Sequence, residues 1–223
     1  MRPHTAGPSS QDGRLAASFA ILAGLAFAAF PLLRPWGDKE ADGDGTVNTE
    51  AMAEAFADPL WVISHVSGMA GWALLAAAVI AAHTVHLSTK LLFTLGIAAL
   101  LPFYGAETFG LHILGAAAQE RDDLTLVTLE GSLRAEPTAL ALFGTGLLVA
   151  AVATILLARD TWASASIRWT GLPLAVLIAL YLPQFFAPEN LRITHGIMLG
   201  AACALWGIRQ ASDTRIDSNP TAG

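Results

Sequence analysis

The segment 101-LPFYGAETFGLHILG-115 lies inside a long apolar run and decides how the chain around it must fold. It carries a carboxylic acid, Glu107, and an imidazole, His112, among residues that are mostly apolar. Placing a charged side chain at the centre of a bilayer costs about 3 kcal/mol on insertion scales, so such a residue indicates a function by default. The segment therefore predicts a membrane-spanning helix that contains part of a polar site.

The composition of the whole chain is that of a membrane protein. Of 223 residues, 54% are hydrophobic and only 13% are charged, and the mean hydropathy is +0.55. Soluble domains carry roughly 25% charged residues. The net charge of −6 comes mostly from acidic loops, and no basic patch indicates binding to nucleic acid. A single cysteine, Cys203, excludes an internal disulfide framework and a Cys-rich zinc site.

Six apolar runs are long enough to cross a bilayer at ~1.5 Å rise per residue. They cover residues 15–33, 59–82, 91–117, 138–158, 167–187 and 191–208. The sequence thus predicts an all-α, polytopic helical bundle over residues 14–209 in the cell membrane, between disordered tails at 1–13 and 210–223. A cleaved signal peptide is the alternative for the first run, because Arg2 and Arg14 precede it and Ala26-Phe-Ala28 resembles a cleavage site.

The distribution of positive charge favours an orientation with both termini in the cytoplasm. One set of loops contains Arg2, Arg14, Lys90, Arg159, Arg168, Arg209 and Arg215. The other set contains Arg34, Lys39, Arg121, Arg134 and Arg192. Seven cations against five is a modest bias, and it places the two acidic loops, 34–58 and 119–136, outside the cell.

The first acidic loop, 34–58, is predicted to be solvated. In the first loop, alternating oxygen-bearing side chains before Gly43 resemble a calcium-binding loop. Gly45 and Thr49 stand where such a loop needs an apolar residue and a bidentate glutamate, so we predict no calcium site. The second loop is expected to hold a short interfacial helix at residues 124–129. Pro102 is expected to bend the third span, because it cannot donate to the carbonyl of Ala98.

Three histidines from three predicted spans fall at one depth. His65, His112 and His195 each lie four to six residues from the predicted outer boundary, which is roughly 6–9 Å. Glycines flank them, and a glycine lets a backbone or a flat cofactor approach closely. Two of the histidines could ligate the iron of a b-type haem. Alternatively, all three could hold a divalent metal such as zinc.

Glu107 lies about 7.5 Å deeper than His112 and points about 140° away from it around an ideal helix. We therefore predict that Glu107 is a proton-transfer or catalytic group rather than a metal ligand. Its candidate partners are His112, His65, Tyr104, Gln184 and Arg192.

These residues leave several functions open. The first is a haem- or metal-binding bundle that exchanges electrons with a quinone. The second is a membrane-embedded enzyme that modifies a lipid, with Glu107 and a histidine as an acid–base pair. The third is a proton-coupled transporter or a structural subunit, either as a homo-oligomer or in a membrane complex. The alternative for each histidine is an ordinary hydrogen bond between helices, and the glycines beside them could serve helix packing alone.

Overall fold

The computed structural model describes residues 10–165 and 167–217, and within them the chain is almost entirely helical. The all-α prediction is therefore confirmed. The parts of the predicted disordered tails at 1–9 and 218–223 lie outside the described residues. The first helix begins at Ser10 and the last continues to Asp217, so both extend beyond the predicted spans.

Nine α-helices make up the described part of the chain. They are α1 Ser10–Leu33, α2 Thr49–Ala57, α3 Pro59–Ala81, α4 Leu87–Gly105, α5 Leu111–Arg121, α6 Glu130–Arg134, α7 Pro137–Trp162, α8 Gly171–Ala179 and α9 Glu189–Asp217. A π-helical segment, Ala106–Gly110, joins α4 to α5, and short 3-10 helices cover Gly37–Lys39, Leu124–Leu129 and Pro183–Phe186. The short helix expected at 124–129 is thus present as a 3-10 helix.

Five helices in the described residues are long and apolar enough to cross a membrane, which indicates a multi-pass membrane protein. They are Gln11–Leu33, Pro59–Ala81, Leu87–Arg121, Pro137–Trp162 and Glu189–Ser212. The fifth predicted span, 167–187, is not one long helix. Its helix α8 has nine residues and is followed by a turn and a 3-10 helix, because Pro183 has no N–H to continue α-helical hydrogen bonding.

Six helices pack as a closed ring. Each of α1, α3, α4, α7 and α8 contacts the next in that order, α8 contacts α9, and α9 closes against α1. Small residues permit the closest approaches: a Cβ on Gly24 would meet the carbonyl oxygen of Gly200, and a Cβ on Gly146 would lie 2.7 Å from the carbonyl oxygen of Gly96. Such contacts are typical of helices packed in membranes, where small residues let backbones meet.

The two ends of the ring differ in polarity. At one end, here called the Asp160 end, Asp160 accepts hydrogen bonds from the backbone of His86 and the hydroxyl of Thr89. At the opposite end, here called the Arg34 end, Arg34 and Arg134 meet Asp38. The chain from α7 to α9 joins these ends, since Gly171 lies against Ala158 while the guanidinium of Arg192 stacks on the Trp36 ring, which lies beside Arg34.

The first acidic loop is only partly solvated, which corrects the prediction for it. Helix α2 covers the end of α5 with Met52, Ala53 and Phe56, all of them buried. Asn48 caps the start of α2 by accepting a hydrogen bond from the backbone of Ala51. Asp38 is 5% exposed because it points toward two arginines rather than toward water.

Candidate functional site

A cavity of about 390 Å³ lies at the Arg34 end of the ring. Its charged and polar lining consists of Arg34, Lys39, His65, Glu107, Arg134 and Arg192. Its apolar lining includes Phe30, Phe103, Leu140, Phe143, Leu182 and Phe185. Ligand pockets commonly occupy 300–1,000 Å³ and combine an apolar wall with a few placed polar groups. The cavity therefore has the size and the two-sided lining of a ligand site.

The π-helical segment presents Glu107 to this cavity. The third predicted span continues from Leu87 to Arg121 as one helix, but its backbone widens to π-helical bonding at Ala106–Gly110. Glu107 and His112 serve different neighbours: Glu107 pairs with Arg134, whereas Nδ1 of His112 donates to the carbonyl oxygen of Phe56. Single-turn π segments inside α-helices occur frequently at functional sites.

Arg134 joins three carboxylates from three parts of the chain. Its Nε donates to Glu107 at 2.9 Å, its Nη1 to Glu130 at 2.7 Å and its Nη2 to Asp38 at 3.1 Å. Burial lowers the pKa of Arg134, but the three carboxylates outweigh burial and raise that pKa above its ordinary value. The guanidinium is therefore a fixed positive charge in the wall of the cavity.

Asp38 is the second centre of this charge network. Its Oδ2 accepts from Nη2 of Arg34 at 2.7 Å and lies 3.5 Å from Nζ of Lys39. Burial would raise the pKa of Asp38, but the charges of Arg34, Lys39 and Arg134 hold it below its usual range. Asp38 thus stays ionised and fixes two arginines in place.

Aromatic rings hold two of the cavity's arginines. Trp36 lies between them, with its ring 4.3 Å from the guanidinium carbon of Arg34 and 4.9 Å from that of Arg192. Trp61 lies on the other side of Arg34 at 4.9 Å, and Phe185 lies 5.4 Å from Arg192. Stacking on aromatic faces orients a guanidinium without occupying its N–H donors.

His65 is the one histidine of the predicted trio that lines this cavity. It is 1% exposed, and its Nδ1 donates to the carbonyl oxygen of Trp61 at 2.7 Å. That bond leaves Nε2 as the acceptor of the neutral ring. The imidazole packs between Trp61 at 4.1 Å and Phe30 at 5.1 Å between ring centroids.

His112 and His195 bond to other parts of the protein. His112 joins α5 to α2 through the carbonyl oxygen of Phe56 at 2.8 Å, and Nε2 of His195 donates to the carbonyl oxygen of Leu177 in α8 at 2.8 Å. Among the described residues, no group of three or more His, Cys, Asp or Glu side chains is arranged to hold a metal ion. The structure therefore gives no support to a shared three-histidine metal site.

The glycines beside the histidines are occupied by protein. A Cβ on Gly68 would lie 3.3 Å from the ring of Phe30, and one on Gly115 would lie 2.5 Å from Cβ of Phe56. One on Gly196 would lie 2.5 Å from Cγ of Pro31. These glycines let other parts of the protein pack closely, which is one of the two roles predicted for them.

Of the residues that line the cavity, Glu107 and His65 were predicted as site residues, and Arg192 was named only as a candidate partner of Glu107. Arg34, Lys39 and Arg134 were not predicted as site residues. Arg134 was not among the expected partners of Glu107, because it lies in the second acidic loop, outside the predicted spans. One signal was present in the sequence: Glu130 and Arg134 are four residues apart, a spacing that forms ion pairs on a helix. Trp61 and Trp206 are both fully buried.

Comparison of the chain with protein-family models, with curated proteins and with solved structures gives no match.

Proposed function

We propose that this protein binds a lipid-like molecule, either a membrane lipid or a quinone, in the cavity at the Arg34 end. The observation that carries the proposal is the lining of the cavity. Phenylalanine and leucine side chains line the cavity together with four cationic side chains, Glu107 and His65. A molecule with a polar head and an apolar tail can contact both kinds of side chain.

We further propose that the chain crosses the cell membrane six times, with both termini in the cytoplasm and the cavity in the outer leaflet. Support comes from five long apolar helices and from the connection between α7 and α9, which runs from the Asp160 end to the Arg34 end through α8. The modest excess of positive residues in the loops at the Asp160 end favours the cytoplasm for that end.

The test fills the cavity. Gly144 lines it, and a Cβ at that position would meet no atom within 4 Å. Gly144→Leu therefore introduces a side chain at the cavity lining with room for its Cβ. We expect lipid that co-purifies with the wild-type protein, measured by native mass spectrometry, to fall severalfold in this variant.

Gly105→Leu is the matched control, because Gly105 is also a helical glycine with no atom within 4 Å of its Cβ but does not line the cavity. It should retain the wild-type lipid. Equal lipid content in wild type and Gly144→Leu, with both proteins folded, would contradict the proposed function.

A second candidate is an enzyme that modifies the bound lipid, and the neighbourhood of Glu107 and His65 in one cavity favours it. His65 offers Nε2 as a proton acceptor, since its Nδ1 donates to Trp61. Glu107 reaches the cavity on a π-helical segment and pairs with Arg134. An enzyme should lose turnover of a lipid in Glu107→Gln and in His65→Gln while lipid binding persists. Loss of binding in both variants would instead support a binding role alone.

Binding of haem b or of zinc by His65, His112 and His195 has less support, since only His65 lines the cavity and no group of three or more His, Cys, Asp or Glu side chains in the described residues is arranged to hold a metal ion. An absorption spectrum and a metal analysis of the purified protein decide it. A Soret band or one metal per chain, lost in His65→Ala, would favour the haem or metal site over the lipid cavity.

A further inference from the structure

We infer that the molecule bound in the cavity carries an anionic headgroup, such as a phosphate or a carboxylate, and that Arg192 is the main counter-charge for it. The inference rests on the proposed function and names the chemical class of the ligand. It follows from the balance of charge around the cavity, the state of Arg192, and the position of the apolar wall.

The cations that line the cavity outnumber the carboxylates that form ion pairs with them. Four cations line it, Arg34, Lys39, Arg134 and Arg192. The carboxylates paired with them are Asp38, Glu107 and Glu130, so the network carries four positive and three negative charges. An uncompensated charge is costly where water is largely excluded. One negative charge from a ligand would neutralise the network.

Arg192 holds the surplus charge. It is 7% exposed, and its buried Nε has no hydrogen-bond partner in the described part of the chain. Asp38 and Glu107 are occupied by Arg34 and Arg134, as the short distances between those pairs show. The rings of Trp36 and Phe185 lie 4.9 and 5.4 Å from the guanidinium carbon of Arg192, and such stacking does not occupy Nε. Buried guanidinium donors without partners are rare, and phosphate and carboxylate oxygens match their geometry.

Lys39 stands beside Arg192 at the border of the cavity. The two side chains also line an adjoining depression with Trp36, Phe185 and Phe186, so the two hollows meet at these residues. The exposed carboxylates Glu40 and Glu189 line that depression but not the cavity. Burial lowers the pKa of Lys39, Asp38 raises it, and the charges of Arg134, Arg34 and Arg192 lower it further. Burial is the main cause of the lowered pKa, and the three arginines add to it, so an anion beside Lys39 would favour its charged form.

The apolar wall fixes the ligand as an amphiphile rather than a free anion. Phe103, Leu140, Phe143 and Leu182 line the same cavity as Arg192 and offer an anion no hydrogen bond. A headgroup at Arg192 and Lys39 would direct its hydrocarbon chain along these side chains. The polar and apolar contacts then add within one molecule.

The experiment measures headgroup preference in the intact protein. Detergent-purified protein is titrated with dioleoyl phosphatidic acid, with dioleoylglycerol of the same chains, and with inorganic phosphate, and binding is followed by native mass spectrometry. We expect phosphatidic acid to bind at least about tenfold more tightly than dioleoylglycerol, the effect of one charge-assisted contact. Inorganic phosphate alone should bind far more weakly than phosphatidic acid.

Variants assign the preference to Arg192. Arg192→Gln should weaken phosphatidic acid binding about tenfold and leave dioleoylglycerol binding unchanged, whereas Arg192→Lys should restore part of the loss. Arg209→Gln, an exposed arginine near the other end of α9, is the matched control and should bind as wild type does. Should Arg192→Gln fail to fold, Lys39→Gln serves in its place, because that side chain is 46% exposed and tolerates replacement.

The outcomes separate this inference from the proposed function. Equal binding of phosphatidic acid and dioleoylglycerol, both lost in Gly144→Leu, would overturn the anionic headgroup and leave the lipid cavity standing. Binding of inorganic phosphate as tightly as phosphatidic acid would overturn the amphiphile. Lipid binding that is equal in the wild-type protein and in Gly144→Leu would overturn the proposed function itself.

Discussion

Arg134 connects more of the Arg34 end than any neighbouring side chain that we describe. Its three carboxylate partners come from the loop after α1, from the π-helical segment and from α6. One guanidinium therefore fastens two loops onto the bundle and fixes Glu107 at the cavity. A planar donor with several N–H groups can do this, and a lysine cannot reproduce the geometry.

Removing Arg134 should destabilise the protein strongly. Arg134→Gln leaves the carboxylates of Asp38 and Glu107 with fewer charge partners in a buried place, and breaking such a network costs about 3 kcal/mol. We expect a lowered midpoint of thermal unfolding in detergent. Arg121→Gln, at an exposed position nearby, should change it little. Equal unfolding midpoints for both variants would contradict the role given to Arg134.

Because of Asp38, the stability of the folded protein should fall at acid pH. Its pKa in the folded protein lies below the ordinary 3.8, so its contribution is full above the unfolded value and is lost as the pH falls through the lowered one. Wild-type protein should therefore lose stability below about pH 4. Asp38→Asn should be less stable at neutral pH and should lose less stability across the same range.

The control for this pH dependence is Asp42→Asn, an exposed carboxylate of the same loop. It should follow the wild-type unfolding curve at every pH. An Asp38→Asn protein with the wild-type dependence on pH would show that the buried ion pairs do not act as described.

Sequence reasoning could find Glu107 and His65 because each interrupts an apolar run. It could not assign Arg34, Lys39 and Arg134 to the site, because charged residues in loops are normally solvated. The spacing of Glu130 and Arg134 indicates an ion pair on a helix, but it does not indicate a contact with Glu107. Only the folding of the loops over the Arg34 end brings these cations to Glu107.

At the scale of the helices, glycines are the residues that allow close packing. The sequence left two roles open for them, helix packing and room for a cofactor. The α1–α9 contact depends on Gly24 and Gly200, whose backbones touch. The α3–α1 contact places the Phe27 and Phe30 rings against Gly71 and Gly68. Spacing alone cannot tell these roles apart, since a porphyrin and a neighbouring helix both require a small residue.

Gly200→Ala should separate α1 from α9. Its Cβ would lie 2.5 Å from the carbonyl oxygen of Gly24, which is closer than side chains and backbone normally approach. We expect destabilisation of about 1–3 kcal/mol, measured by thermal unfolding in detergent. Gly144→Ala is the control, because its Cβ meets no atom within 4 Å. An unchanged midpoint of thermal unfolding in Gly200→Ala would show that the contact between α1 and α9 tolerates widening.

The helical elements were predicted well where they are long and apolar, and less well where tertiary contacts decide them. Helix α2 was missed because its nine residues include two glutamates and read as part of an acidic loop. The π-helical segment was missed because its residues carry no local signal for bonding to the fifth residue back. The division of 167–187 was signalled by Pro183, although the length of the apolar run favoured one helix.

For the whole molecule, the cavity accounts for where many of the loop cations lie. Four of the five cations that the sequence assigned to the outer loops, Arg34, Lys39, Arg134 and Arg192, line the cavity. Their position at the Arg34 end follows from the lining of the cavity and does not depend on the orientation of the chain in the membrane. The weak bias of seven cations against five is the result expected from that position.

The sixth crossing can be tested by cysteine labelling in intact cells, after replacement of the buried Cys203 by alanine. Ala165→Cys precedes α8 and Asn190→Cys follows it. A membrane-impermeant maleimide should label position 190 and spare position 165, because α8 and its flanking turns are proposed to cross between them. Glu120→Cys, in the second acidic loop, should be labelled as the positive control. Labelling of positions 165 and 190 alike would contradict six crossings.

The central proposal is that a lipid-like molecule binds in the cavity at the Arg34 end. A phosphatidic acid with a diazirine in its acyl chain, activated by light in membranes, tests this directly when the labelled residues are mapped by mass spectrometry. We predict labels on Phe103, Phe143 and Leu182, which line the cavity. Labels confined to outward positions such as Leu25, Leu95 and Ile155, with none in the cavity, would contradict the account.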